Sequence, residues 1–254
     1  MNLLQTIILS VLEGITEFLP ISSTGHLILA SNILKIEQTE FVKSFEIIIQ
    51  LAAILAVVVI YFKKLVLDYN FKLYKNIMIS FLPSVIFGLF FYDFIKKYLI
   101  GNSLVVTISL LIGGIVMIVF EKFVETKQKQ NLETLDYLKI GIFQVLSMIP
   151  GVSRAFATIF GGMIAGMDRK KATEFSFLLA VPTMIAETGL DLVKTDLSSW
   201  ASNEYKLLAV GFIGSFTIAY IVIRWLIKYV QTHDFTVFGW YRIAVAFLYF
   251  LYIL

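Results

Sequence analysis

Cysteine is absent from the 254 residues, which excludes disulfides, thiolate metal sites and a cysteine nucleophile. Charge is scarce as well: Asp, Glu, Lys and Arg make up 15% of the chain, against about a quarter in soluble domains. The net charge of +3 is too small for a nucleic-acid footprint, and no basic stripe with interleaved aromatics occurs, so no nucleic-acid partner is expected. The opening MNLLQTIILSVLEGITEF lacks a positive start and an Ala-x-Ala site, so no cleaved signal peptide is predicted. What fills the chain is apolar: 59% hydrophobic residues and 23 Phe, with a mean hydropathy of +0.86. The expected fold class is an all-α polytopic membrane protein.

Apolar runs near the length of about 20 residues needed to span a bilayer fall at 44–62, 76–95, 103–120, 173–193, 206–227 and 236–254. Six full transmembrane helices are therefore predicted. Segments 1–34 and 138–167 are apolar too, but Pro20 and Pro150 break them near their middles. Proline ends a helix and frees backbone groups that a bilayer tolerates only where protein or water satisfies them. Each is read as a re-entrant helix hairpin.

An offset of 130 residues pairs Ser23 with Ser153, Phe45 with Phe175 and the later spans with one another. That predicts an internal repeat with halves 1–124 and 131–254 in a single membrane domain. Three spans per half make the repeat inverted. Loops at 63–75, 121–139, 168–171 and 224–235 hold 13 Lys and Arg, the opposing loops 6, so the first group is expected in the cytoplasm. The first hairpin then dips in from outside, the second rises from the cytoplasm, and the breaks meet near the midplane.

Ionisable residues inside apolar segments are functional candidates by default. Glu13 and Glu17 lie one helical turn apart and share a face; two carboxylates that close repel, so either one keeps its proton or a divalent cation enters. The bland alternative is a polar seam between helices. Ser22, Ser23 and Thr24 follow Pro20 at a half-helix start, where hydroxyls cap and anions are attracted. Ser23 and His26 can share a face as nucleophile and base, or as hydroxyl and nucleophilic histidine. Arg154 stands at the second break, placed to clamp phosphate oxygens or to rest on Glu13 or Glu17. Arg242 is a second buried-segment cation, and Glu187, with Asp191 nearby, is an acid in a span without an evident task.

EGITEFLPISSTGH at 13–26 and PGVSRAFAT at 150–158 closely resemble the two signature motifs of the bacterial undecaprenyl-diphosphatase family, associated with bacitracin resistance. The likeness continues through FEIIIQLAAILAVVV at 45–59, EFSFLLAVP at 174–182 and Tyr241-Arg242. It implies a membrane phosphatase that hydrolyses undecaprenyl diphosphate to undecaprenyl phosphate and inorganic phosphate, recycling the lipid carrier of cell-wall polymers. It implies a bacterial plasma-membrane location, a site open toward the outer face, and dependence on Mg²⁺ or Ca²⁺. The family's catalytic positions fall on Glu13, Glu17, Ser23, His26 and Arg154, with Glu13 and Glu17 as metal ligands. Its substrate-binding positions fall on Ser22, Thr24, Gly25, Gly151, Ser153, Arg154 and Thr158. Ala155 stands where the motif usually has a second serine. The expected partners are the diphosphate and the bilayer, with a homodimer as the candidate assembly. The competing reading is a transporter or flippase of polyprenyl phosphate on the same repeat, and the nucleophile stays open among Ser23, His26 and water.

Overall fold

The computed structural model describes residues 1–99, 102–123, 128–194 and 200–253. Lys127 of the charge pattern lies outside them, as do the side chains of Lys96, Lys97, Glu187, Asp191 and Lys194. Among the described residues the regular structure is entirely helical. Among the described residues four helices are long and apolar enough to cross a membrane: α3 (Glu40–Ile60), α4 (Phe71–Phe94, its apolar part Phe71–Phe91), α5 (Ser103–Phe123) and α9 (Ser202–Tyr229). The chain is a multi-pass membrane protein. Six spans were expected. The helices covering the other two runs differ from the four for separate reasons: α8 (Arg169–Lys194) carries acidic and basic residues along its length, and α10 (Thr236–Ile253) is short.

Each proline-broken segment forms two short helices. The first gives α1 (Leu3–Thr16) and α2 (Ser23–Ile33), the second α6 (Thr134–Val145) and α7 (Arg154–Ile164). The start of α1 is set by Asn2 and Gln5, whose side chains cap each other's backbone amides; this reciprocal cap satisfies donors a helix start leaves orphaned. The end of α6 tightens into a 3₁₀ turn over Leu146–Met148 before Pro150. Proline alone does not break these helices, because Pro83 and Pro182 lie inside α4 and α8.

The packing crosses between the two parts of the chain. α1 lies against α9 and α6 against α4, while α5 pairs with α10 and α3 packs on both α8 and α9. The α1–α9 approach depends on Gly14, where a Cβ would sit 2.8 Å from the Ser215 carbonyl oxygen, and close approach over small residues is how helices associate in lipid. Ser215 also donates to the Ile49 carbonyl of α3 at 2.8 Å. The interior is aromatic around the breaks: Phe18 meets Phe177 edge to face at 5.2 Å between centroids. Apolar side chains such as Leu89, Phe90, Ile213, Phe247 and Leu248 cover the outside of α4, α9 and α10.

Away from the breaks, one ionic knot joins three helix ends. Glu121 at the end of α5 accepts from the Arg169 guanidinium at the start of α8 and from the Phe235 backbone N–H just before α10. Lys129 pairs with Asp136 at 2.8 Å. Sequence reading counted these cations for topology but had no signal for their partners.

Candidate active site

The starts of α2 and α7 share one local geometry. Ser22 and Ser153 are their N-caps; Ser22 Oγ accepts from the Gly25 N–H and Ser153 Oγ from the Phe156 N–H, at 3.3 and 3.2 Å. Both caps have positive φ, 74° and 78°, a region costly for a residue with a side chain and found where surrounding structure enforces it. The matched pair is thus Ser22 with Ser153, one residue out of the register that pairs Ser23 with Ser153.

A polar cavity of about 90 Å³ lies between the two breaks, lined by Glu17, Ser22, Ser23, Thr24, Gln50, Ser147, Pro150, Gly151, Ser153, Arg154, Thr183 and Met184. Its floor is an ordered set of polar contacts. Ser23 Oγ donates to Glu17 Oε2, and Arg154 Nη2 donates to the other oxygen, Oε1, at 2.7 Å. Arg154 Nη1 reaches the Ser176 carbonyl at 3.2 Å. Thr158 Oγ1 lies 2.6 Å from Ser176 Oγ, so Thr158 braces the α7–α8 contact and is not among the residues lining the cavity. Ala155, in place of the usual motif serine, is fully buried.

Glu13 is placed differently from Glu17. It is wholly buried one turn earlier on α1, and neither carboxylate oxygen has a hydrogen-bond partner. Two carboxylates at a helix C-terminus, where the backbone already presents partial negative charge, form a cation-attracting end. Among the described residues no cluster of three or more His, Asp or Glu is arranged around a common point.

His26 does not face Ser23. Its Nδ1 lies 2.7 Å from the Ser22 carbonyl and its Nε2 2.9 Å from the Tyr241 hydroxyl. A carbonyl only accepts, so Nδ1 carries the hydrogen; the ring then stacks beside Tyr241 at 5.5 Å between centroids. Helical spacing allowed a serine–histidine pair, but Ser23 at the first helical position turns back to Glu17 while His26 turns toward α10. Tyr241 was noticed in the sequence only as a motif residue. Gln50 and Thr183, which also line the cavity, had no signal beyond lying in apolar segments.

The sequence that builds this site has known relatives. The model of the family described as bacitracin resistance protein BacA matches residues 6–248. The chain is 49% identical over 249 residues to the undecaprenyl-diphosphatase of Aquifex aeolicus, covering 96% of both chains. It is 44% identical to that of Persephonella marina over the full length of both chains. With the undecaprenyl-diphosphatase of Lactobacillus delbrueckii subsp. bulgaricus it shares 43% identity over 97% of this chain and 96% of the relative. The chain therefore belongs to the bacitracin resistance protein BacA family.

Proposed function

We propose that this chain is an integral membrane phosphatase that hydrolyses undecaprenyl diphosphate to undecaprenyl phosphate and inorganic phosphate, returning the lipid carrier to cell-wall polymer synthesis. The observation that carries the reading is a serine hydroxyl donating to a carboxylate that also holds an arginine, on the wall of a polar cavity inside an apolar chain. A transporter needs the cavity and the arginine but gives the serine no reason to rest on a carboxylate.

The diphosphate head enters the cavity with its tail left among the helices. Arg154, already forked between Glu17 and a carbonyl, turns to the terminal phosphate, for which its planar donors are suited. Ser23 Oγ attacks the terminal phosphorus while Glu17 takes the hydroxyl proton, and the P–O bond to the bridging oxygen breaks, releasing undecaprenyl phosphate. Glu17 passes that proton to the departing phosphate and is a carboxylate again. It then takes a proton from the water that attacks the serine phosphate and returns it to Ser23 Oγ as the P–O bond to serine breaks, releasing inorganic phosphate. Unpaired N–H groups at the starts of α2 and α7 receive the phosphate oxygens, so positioning and charge stabilisation carry most of the rate, as in other phosphoryl transfers.

Glu13 and Glu17 suit a divalent cation: a fully buried carboxylate with no partner calls for positive charge, and Mg²⁺ takes one or two carboxylates with the remaining oxygens from phosphate and water. Bound there, it would neutralise charge on the diphosphate. His26 orients the Ser22 cap through its carbonyl. Tyr241→Phe should therefore slow turnover only about fivefold, the worth of one hydrogen bond; a thousandfold loss would put the His26–Tyr241 pair at the chemistry.

The membrane arrangement belongs to the same proposal. α8 and α10 complete six spans. α1 and α2 have 14 and 11 residues, about 21 and 16 Å at the helical rise, and a hydrocarbon core is about 30 Å thick. That shortfall, repeated in α6 and α7, supports two re-entrant hairpins, and the crossed packing supports an inverted repeat with halves 1–124 and 131–254. The charge pattern supports a first hairpin dipping in from the outer side, and the family likeness supports a site open toward the outer face of the plasma membrane, with a homodimer as the assembly to examine.

The test is phosphate release from undecaprenyl diphosphate by the purified, detergent-solubilised chain, with EDTA and with Arg154→Ala as controls. Release that EDTA stops, Mg²⁺ or Ca²⁺ restores and Arg154→Ala lacks is the expected result. A folded wild-type chain that binds the lipid and releases nothing above the Arg154→Ala background refutes the enzyme.

A further inference from the structure

Among the described residues Arg242 is the largest side chain with no solvent exposure, and the reaction above gives it no part. A guanidinium has five N–H donors and accepts nothing; here each donation goes to a backbone carbonyl. Nη1 donates to Pro20 at 3.1 Å and Val152 at 2.9 Å, Nη2 to Ser109 at 3.0 Å and Gly151 at 2.8 Å, and Nε to Leu110 at 3.4 Å. Pro20 belongs to the first break, Gly151 and Val152 to the second, Ser109 and Leu110 to α5. Among the described residues no carboxylate lies within ion-pair distance of it; carbonyl dipoles, with the face of the Phe156 ring 5.1 Å from the guanidinium carbon, offset its charge.

The carbonyls of both breaks are the groups that a helix interruption leaves unpaired where water is scarce. One side chain collects three of them. In a trans peptide the C=O and the following N–H point opposite ways, and among the described residues no peptide is cis. Holding the Val152 carbonyl therefore turns the Ser153 N–H away from Arg242, and Ser153 lines the cavity, whereas Arg242 does not. The slot is shaped for the guanidinium: at Gly113 a Cβ would stand 2.1 Å from Nη2.

We propose that Arg242 is a positioning residue for phosphate transfer, holding both breaks from behind so that the Ser153 amide and the two half-helix starts are aimed at the phosphate. The proposal rests on the phosphatase reading. It asks nothing of Arg242 at the substrate itself, so its loss should appear in kcat more than in KM.

The experiment compares wild type, Arg242→Lys and Gly113→Ala in detergent, matched for helical circular dichroism and elution, for kcat and KM of phosphate release. Lysine keeps the charge but, with three donors on one nitrogen, cannot span three chain segments; kcat should fall about 100-fold, the scale of a reacting group misplaced by about 1 Å. KM should stay within about threefold, because uniform binding by Arg154 is untouched. Gly113→Ala alters no cavity side chain yet pushes the guanidinium out of its slot, and should lower kcat about tenfold on the same reasoning. Wild-type kcat in folded Gly113→Ala, or a rise in KM at unchanged kcat in Arg242→Lys, overturns the proposal. So does a Gly113→Ala chain that loses its helical content, since that makes the contact one of folding. Should Arg242→Lys not fold, Gly113→Ala decides. A wild type that releases no phosphate instead fails the phosphatase reading. Positioning is then read from hydrogen–deuterium exchange at 150–154: faster exchange in Gly113→Ala supports it, and unchanged exchange overturns it.

Discussion

Glu17→Gln should lower kcat for phosphate release by about 10³-fold or more, within the range that positioned general bases contribute. Glutamine keeps the volume and one carbonyl oxygen, so the cavity keeps its shape. What disappears is the negative charge on which two groups converge, Ser23 from one side and Arg154 from the other. Ser23 then has no base, and Arg154, largely buried, has no counter-ion. Breaking a buried pair from one side costs about 3 kcal/mol, so a lowered Tm in the substrate-free variant is part of the same expectation. Kinetics of the purified variant check both halves. Retention of more than a tenth of wild-type kcat would remove Glu17 from the base role and move proton transfer elsewhere.

Ser23→Ala is the companion result, with an expected loss of about 10³-fold or more for removal of a covalent nucleophile. Its neighbour supplies the contrast. Ser22 Oγ is committed to the Gly25 N–H as a cap, so Ser22→Ala should cost about 1 kcal/mol of stability and far less turnover. An acid quench during turnover distinguishes the chemistry directly, because a phosphoserine survives acid and a phosphohistidine does not. Acid-stable label on the wild type, absent from Ser23→Ala, is expected. Label lost in acid but retained in alkali would assign the covalent step to His26 and retire the serine.

Much of the site was legible from local pattern. Hydroxyls directly after an interrupted apolar run announce a helix start, and carboxylates one turn apart announce a shared face; both depend only on near neighbours in sequence. Partner choice across the fold was not legible. Ser23 has His26 three positions ahead and Glu17 six behind, and helix geometry alone favours the histidine. The choice falls to Glu17 because α10 brings Tyr241 to His26 and the second break brings Arg154 to Glu17. The sequence also told the prolines apart: Pro20 and Pro150, set among Ser, Thr and Gly, accompany breaks, whereas Pro83 and Pro182, kept within the spans 76–95 and 173–193, lie inside α4 and α8.

The sequence by itself determined that this is a helical membrane protein and where its chemistry-bearing residues stand along the chain. Hydropathy, charge scarcity and capping preference are short-range properties, so they survive without knowledge of the fold. Only the tertiary structure decided that Glu13 is buried without a partner, that Glu121 and Arg169 lock three helix ends, and that Arg242 grips both breaks at once. Each of these joins atoms from distant segments, and in a buried apolar interior a polar group must find whichever partner the packing brings within reach.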